Sequence, residues 1–202
     1  MTLLFLVRHG TTDAVGRRLV GRMSGIPLND AGRAQAAALG ARFAHVPLAG
    51  VYTSPLERAV STATAIAEPH GLAPMWWPAL TDVDFGDWTG KALAELRESA
   101  VFGDFNTRRS LTRPPAGEHA LEVQLRVVSA LQEIAAAHPE DAVAVVSHAD
   151  PIRASIAYIL GMPLDALVRF EIDAGSVSQL ELATHGARVL SLNQPSDLKT
   201  TM

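Results

Sequence analysis

The sequence contains no cysteine, which excludes a disulfide framework, thiolate metal sites and cysteine nucleophiles together. It also lacks a basic excess. The formal net charge is −4 over 202 residues, so no global positive field points to nucleic acid, and an anionic ligand has to be held by a few local cations. No apolar run is long enough for a membrane span, and the N-terminal one lacks the basic region of a secretory signal; a cytoplasmic protein without membrane contact is expected. Seven histidines are present, yet none forms HExxH or another close ligand pair, which disfavours metal-dependent hydrolysis. Repeats, low-complexity tracts and long linkers are absent too.

What remains is an ordinary soluble globular composition, 48% hydrophobic and 19% charged. The length suits a single domain over residues 1–202 with one substantial core. "TLLFLV" (2–7) reads as a buried strand, and "LNDAGRAQAAALGARFAHV" (28–46) as a helix capped by Asn29 or Asp30. "GVYTS" (50–54) is a short strand running into a helix, with Ser54 as cap, Pro55 first and Glu57 completing a capping box. Residues 70–118 are less regular and form a lid-like insertion. Helical spacing returns at 120–138, where Leu121, Leu125, Val128 and Leu131 share a face. "DAVAVVSH" (141–148) is another buried strand, followed by a helix with Asp150 as cap and Pro151 first. "SVSQLEL" and "ARVLSL" suit a closing hairpin at a sheet edge. Strands alternating with helices predict an α/β three-layer sandwich with a mostly parallel sheet.

In such sheets ligands bind beyond the carboxyl ends of the strands. The first strand ends on Arg8-His9-Gly10, the second enters a helix carrying Arg58, and the "AVAVVSH" strand ends on His148 beside a helix start. Singly, each of these residues has an ordinary structural explanation. Together, two arginines, two histidines and two helix N-termini suit a dianion such as phosphate, which the planar arginine fork holds by two oxygens at once. If a backbone carbonyl fixes one nitrogen of His9, the other can attack phosphorus, and nearby arginines keep the ring unprotonated. His148 then serves as a charged partner for the phosphoryl oxygens.

"LVRHGTT", "YTSPLERAVSTA", "DFGDWTG" and "VVSHADPIRA" resemble, in order and spacing, the motifs of the histidine phosphatase superfamily (phosphoglycerate mutase-like). The resemblance runs from residue 3 to about residue 182. It implies a mixed six-stranded sheet flanked by helices, no metal or other cofactor, and transfer through a phosphohistidine. By position it makes His9 the nucleophile and gives Arg8, Arg58 and His148 to the phosphate. The amide of Ala149 joins them, and Thr12 matches the Thr/Ser of the first motif. The proton donor falls on Asp82, where many relatives carry Glu; Asp84 and Asp87 read as turn and solvent-facing acids. Val15 stands where relatives have Asn, Thr11 where Glu is common, and "PAGEH" (115–119) matches "GGES" with His119 replacing Ser. Arg22 falls where relatives line the pocket, though a surface role suits it equally.

The resulting expectation is a phosphomonoesterase acting on a small phosphorylated substrate. A mutase-type phosphotransferase is the nearest alternative, because "TRRSLTRPP" (107–115) matches the mutases' "RRS" and Arg108 with Arg109 could clamp a carboxylate. A solvated basic loop explains that segment equally well. A phosphate-binding regulatory module without turnover is the alternative from another class. Monomer or homodimer is left open.

Overall fold

The computed structural model describes residues 1–183 and 186–198. Six strands form one sheet in the order β3-β2-β4-β1-β5-β6. They are β1 (Thr2–Arg8), β2 (Leu48–Thr53), β3 (Met75–Trp76), β4 (Ala142–Ser147), β5 (Val177–Ala183) and β6 (Gly186–Gln194). The first four pair in parallel, while β5 and β6 are antiparallel additions beyond β1. The expected mixed, mostly parallel sheet and its closing hairpin are both present.

The central strands are continuously apolar because both faces of the sheet are covered. Phe5 and Val7 of β1 and Ala144 and Val146 of β4 pack on α1 (Asp30–Phe43) and α2 (Glu57–Ala67), through Leu39, Phe43, Ala63 and Ile66. The alternate residues, Leu4, Leu6, Val143 and Val145, face α5 (Ala120–Ala137) and α6 (Ala149–Ile159). Period-two alternation thus divides one hydrophobic run between two cores.

The segment between β3 and α5 has a third cluster, built on Val83, Phe85, Trp88, Phe102 and Phe105. It contains two short helices, α3 (Leu93–Arg97) and α4 (Ala100–Thr107). Both are too short to display a sustained 3.6-residue period, so sequence spacing does not announce them.

Helix starts depart from expectation in three places. Asn29 caps α1 as expected, accepting from the Gly32 amide at 2.9 Å. In α2 the cap is Leu56, with no side-chain bond, because Ser54 still belongs to the strand end. Glu57 makes no capping box; it accepts from the Gly25 amide at 2.8 Å and ties down a neighbouring loop. In α6 the cap is His148 rather than Asp150, which sits in the first turn. The buried stripe of α5 is also rotated. It runs through Val123, Val127, Ala130, Leu131 and Ile134, leaving Leu121 and Leu125 exposed at 56% and 69%. Apolar spacing alone fits either stripe, and the wedge between sheet and α6 decides which one is used.

Gly10 follows the histidine at the end of β1 because α1 crosses directly above it. A Cβ at Gly10 would lie 2.5 Å from the Gly32 carbonyl oxygen, and one at Gly32 would lie 2.0 Å from that of Thr11. The Gly10 amide donates to Thr62 Oγ1, and Gln35 Oε1 accepts from the Thr11 amide at 2.8 Å. The Gly32→Ala variant should therefore lose about 1–3 kcal/mol despite alanine's better helix propensity, the usual cost of overpacking. Leu125→Gln should stay within about 0.5 kcal/mol of the parent. Thermal denaturation of the two proteins checks both.

Candidate active site

Parallel register brings three strand ends to one level. Arg8 pairs with Ser147 and Thr53 with Val146, so His9, Ser54 and His148 emerge side by side. The His9 amide donates to the Ser147 carbonyl at 3.1 Å, and the Ser54 amide to that of Val146 at 3.0 Å.

The buried His9 ring donates from Nδ1 to the Gly10 carbonyl at 2.7 Å. A carbonyl only accepts, so the proton of the neutral ring is on Nδ1 and the lone pair is on Nε2. The His148 ring lies 5.1 Å away between centroids, inclined at 60°. Its Nε2 is 2.8 Å from Ser54 Oγ. That hydroxyl also accepts from the Leu56 amide at 3.4 Å, and among the described contacts His148 Nε2 is the one acceptor for its own hydrogen. His148 Nδ1 is then an N–H donor, 3.6 Å from Asp82 Oδ2. Ser54, expected as a helix cap, instead orients a histidine.

Arg58 is fully buried in the first turn of α2. Its Nη2 donates to the Gly21 carbonyl at 2.6 Å and lies 3.4 Å from Asp82 Oδ2. Arg8 is held by a 2.7 Å bond from Nη1 to the Ile172 carbonyl. Arg8 Nε, Arg58 Nε and His148 Nδ1 are all buried without a hydrogen-bond partner. Buried donors are ordinarily satisfied, so three of them around two imidazoles form a cradle suited to an oxyanion.

These charges divide the protons among the titratable groups. Burial, followed by the charges of Arg58 and Arg8, holds the His9 pKa well below the ordinary imidazole value, against a small opposing effect of the Gly10 carbonyl. Burial again leads for His148, with His9 and the same arginines adding to it. The charged His148 expected from sequence is therefore a neutral N–H donor here; a dianion beside it would favour its protonation. Asp82 moves the other way. Burial raises its pKa, Asp150 adds to the rise, and Arg58 with the Val83 amide opposes it. A carboxyl shifted in this direction beside the two imidazoles is better suited to carry and give up a proton than one in water.

Among the described residues, no group of three or more His, Asp or Glu could hold a metal ion. A cavity of about 700 Å³ between α5, α6 and the β5–β6 hairpin, lined by Leu131, Tyr158 and Leu182, shares no residue with this constellation. The site is recognised by chemistry and not by volume.

Residues 4–195 match the histidine phosphatase superfamily (branch 1). The chain belongs to this superfamily. It is 32% identical to phosphoserine phosphatase 1 of Hydrogenobacter thermophilus over 96% of this chain and 92% of that protein. It is 29% identical to the adenosylcobalamin/alpha-ribazole phosphatase of Salmonella typhimurium, over 94% and 95% respectively. The solved structure of Bacillus stearothermophilus YhfR superposes with a TM-score of 0.89 at 32% identity, covering 95% of this chain and 96% of that one.

Within this histidine phosphatase superfamily fold, His9, His148, Arg58 and Asp82 meet directly, and Arg8 adds its charge to both His9 and Asp82. Ala149 opens α6, where the first amides of a helix have no intrahelical partner. Thr12 is buried beyond β1, its carbonyl accepting from the Val15 amide at 3.2 Å. Asp84 closes a turn by accepting from the Gly86 amide at 2.9 Å, and Asp87 is exposed. His119 caps α5 as a serine would, its Nδ1 accepting from the Leu121 amide while Glu122 returns the bond. Arg108 and Arg109 do not act as a pair. Arg108 is exposed on Asp104, whereas Arg109 is buried against Asp150 at 2.7 Å. Sequence analysis passed over Ser54, Glu118 and Arg126 as site components. Only the position of Ser54, level with His148, could have signalled its use.

The depressed imidazole pKa values have a measurable consequence. In the unfolded chain both rings take up protons near pH 6.5, while the folded rings do not, so stability from this source is full above 6.5 and lost as pH falls. Asp82, raised in the folded state, works in the opposite direction at lower pH. Ring resonances of His9 and His148 should titrate well below those of an exposed histidine, followed residue by residue by NMR. Inorganic phosphate should move the His148 resonance back towards neutral pH.

Proposed function

We propose that the protein is a metal-independent phosphomonoesterase that hydrolyses small phosphorylated metabolites through a phosphohistidine on His9. The observation that carries this is the tautomer of His9. With Nδ1 committed to the Gly10 carbonyl, Nε2 keeps its lone pair free for phosphorus, in a site where Arg8, Arg58 and His148 each have a buried nitrogen without a partner. Attack of Nε2 on phosphorus forms the N–P bond as the ester P–O bond breaks, and Asp82 gives its proton to the leaving oxygen. The Asp82 carboxylate then takes a proton from water, which attacks phosphorus and releases His9 and inorganic phosphate. Arg8, Arg58, His148 and the Ala149 amide hold the phosphoryl oxygens, with Thr12 completing the pocket wall. Residues 70–118 deliver the acid and cover the site as part of the single domain.

Small phosphorylated substrates are in keeping with relatives named as phosphoserine and alpha-ribazole phosphatases. Hydrolysis is favoured over mutase chemistry by the commitment of Arg109 to Asp150, which removes half of the expected carboxylate clamp. A panel of phosphorylated metabolites, assayed for free phosphate and for isomerised product, separates the two activities and identifies the substrate.

His9→Ala should remain folded and have no detectable turnover. Near-normal activity would overturn the mechanism. Arg58→Ala should lose about 2–4 kcal/mol of transition-state stabilisation, measured as kcat/KM. Asp82→Asn should slow the first-turnover burst by about 10²–10⁴-fold on an alkyl phosphate, and much less on a nitrophenyl phosphate whose leaving group needs no proton. An equal loss on both esters, or a larger one for Asp84→Asn, would place the acid elsewhere.

A further inference from the structure

Asp82 is one carbon shorter than the Glu expected at its position, so the backbone that carries it has to be set with corresponding care. Its carbonyl oxygen accepts two guanidinium bonds, from Arg22 Nε at 3.1 Å and from Arg126 Nη2 at 3.1 Å. Arg126 also donates through Nη1 to the carbonyls of Ala79 at 2.7 Å and Thr81 at 2.8 Å. Its remaining donors engage Glu118 as a fork, Nε to Oε1 at 2.7 Å and Nη2 to Oε2 at 3.0 Å. All five N–H groups of the guanidinium are thereby used, in a planar arrangement that lysine cannot reproduce. Glu118 Oε2 accepts from Arg22 Nη2 as well, at 2.9 Å. Glu118 is also bound through its own backbone, its amide donating to the Asp84 carbonyl at 2.8 Å.

Three side chains from three parts of the chain thus close on the main chain of residues 79–84: the loop after β1, the approach to α5, and α5 itself. None of these contacts reaches the Asp82 carboxyl. That group is held by the Val83 amide and faces Arg58 and His148. We propose that Arg126, Glu118 and Arg22 form a clasp that positions the general acid, setting the distance between the Asp82 carboxyl and the leaving oxygen. Their hydrogen bonds go to the backbone and to one another, and none goes to His9 or the Asp82 carboxyl, so they are positioning residues. The clasp rests on the assignment of Asp82 as the acid. Misplacing a catalytic group by about 1 Å costs on the order of 10²-fold, which sets the scale of the effect.

Loosening the clasp should impair only the step that needs the proton. In single-turnover measurements, Arg126→Lys and Glu118→Gln should slow phosphorylation by an alkyl phosphate about 10–100-fold. The burst on nitrophenyl phosphate should change less than about 3-fold, and binding of inorganic phosphate should be unchanged. Arg22→Ala removes one of the two bonds to the Asp82 carbonyl from a half-exposed position. It leaves the bonds to Ala79 and Thr81 intact, so it provides a folded protein with a smaller effect in the same sense. In the Asp82→Asn background none of these substitutions should cost more on the alkyl ester, because no acid is left to position. Equal losses on both esters, or losses that add to that of Asp82→Asn, would overturn the clasp and leave Asp82 as the acid. An Asp82→Asn protein with no preference between the esters would instead remove the acid assignment, and the clasp with it.

Discussion

Arg58 is a guanidinium with no solvent contact at all, and most of the site can be understood as a response to it. Moving an isolated cation out of water costs several kcal/mol unless its donors are met. The chain meets only part of them, bending the loop after β1 over the helix start so that the Gly21 carbonyl accepts from Nη2 at 2.6 Å, while Nε keeps no partner. Gly21 has φ +47°, and a Cβ there would lie 2.5 Å from the Val83 carbonyl oxygen. The left-handed backbone and the close approach both require glycine. One carboxylate, Asp82, is drawn to the same guanidinium at 3.4 Å. The cation therefore organises the loop, Asp82 and the buried nitrogens around the two imidazoles together.

Its second consequence is the distribution of protons. Burial keeps the two imidazoles, 5.1 Å apart, from protonating readily, and two nearby arginines add to that effect. A buried carboxyl next to them holds its proton more tightly than it would in water, although Arg58 opposes this. The two rings are thus shifted towards their neutral form and the carboxyl towards its protonated form. Environment, more than residue type, sets the roles.

Asp82 comes from the part of the chain with least regular structure. Residues 80–107 are held by their own aromatic cluster, in which Trp88 meets Phe102 and Phe105 edge to face at 5.4 Å. They are also tied to the main body through Arg109–Asp150 and the contacts of Arg126. Side chains and not a hydrogen-bonded ladder support this segment, which is why it needs no periodic pattern.

The alternation of apolar runs with helical stretches was enough to predict the α/β sandwich and the ends of β1, β2 and β4. Strand burial and helix capping are local physics, as Asn29 shows. The same local patterns carried His9, Arg8, Arg58 and His148 to one sheet edge, since parallel strands project their carboxyl ends in one direction. What local patterns could not decide is which of several compatible partners a side chain meets. Ser54 had the signature of a cap and became the partner of His148, because β2 and β4 end at the same level. Leu121 and Leu125 had the spacing of a core face and were left in water, because packing against α6 rotated the helix. His148 was expected to be charged, and its burial, with the neighbouring arginines adding to it, holds its pKa well below the ordinary value. Arg126 and Glu118 carry no local signal of a place beside the site. Tertiary structure alone brings them, with Arg22, onto the backbone of Asp82, since contacts across such sequence separations depend on the packing of whole elements and not on any local period.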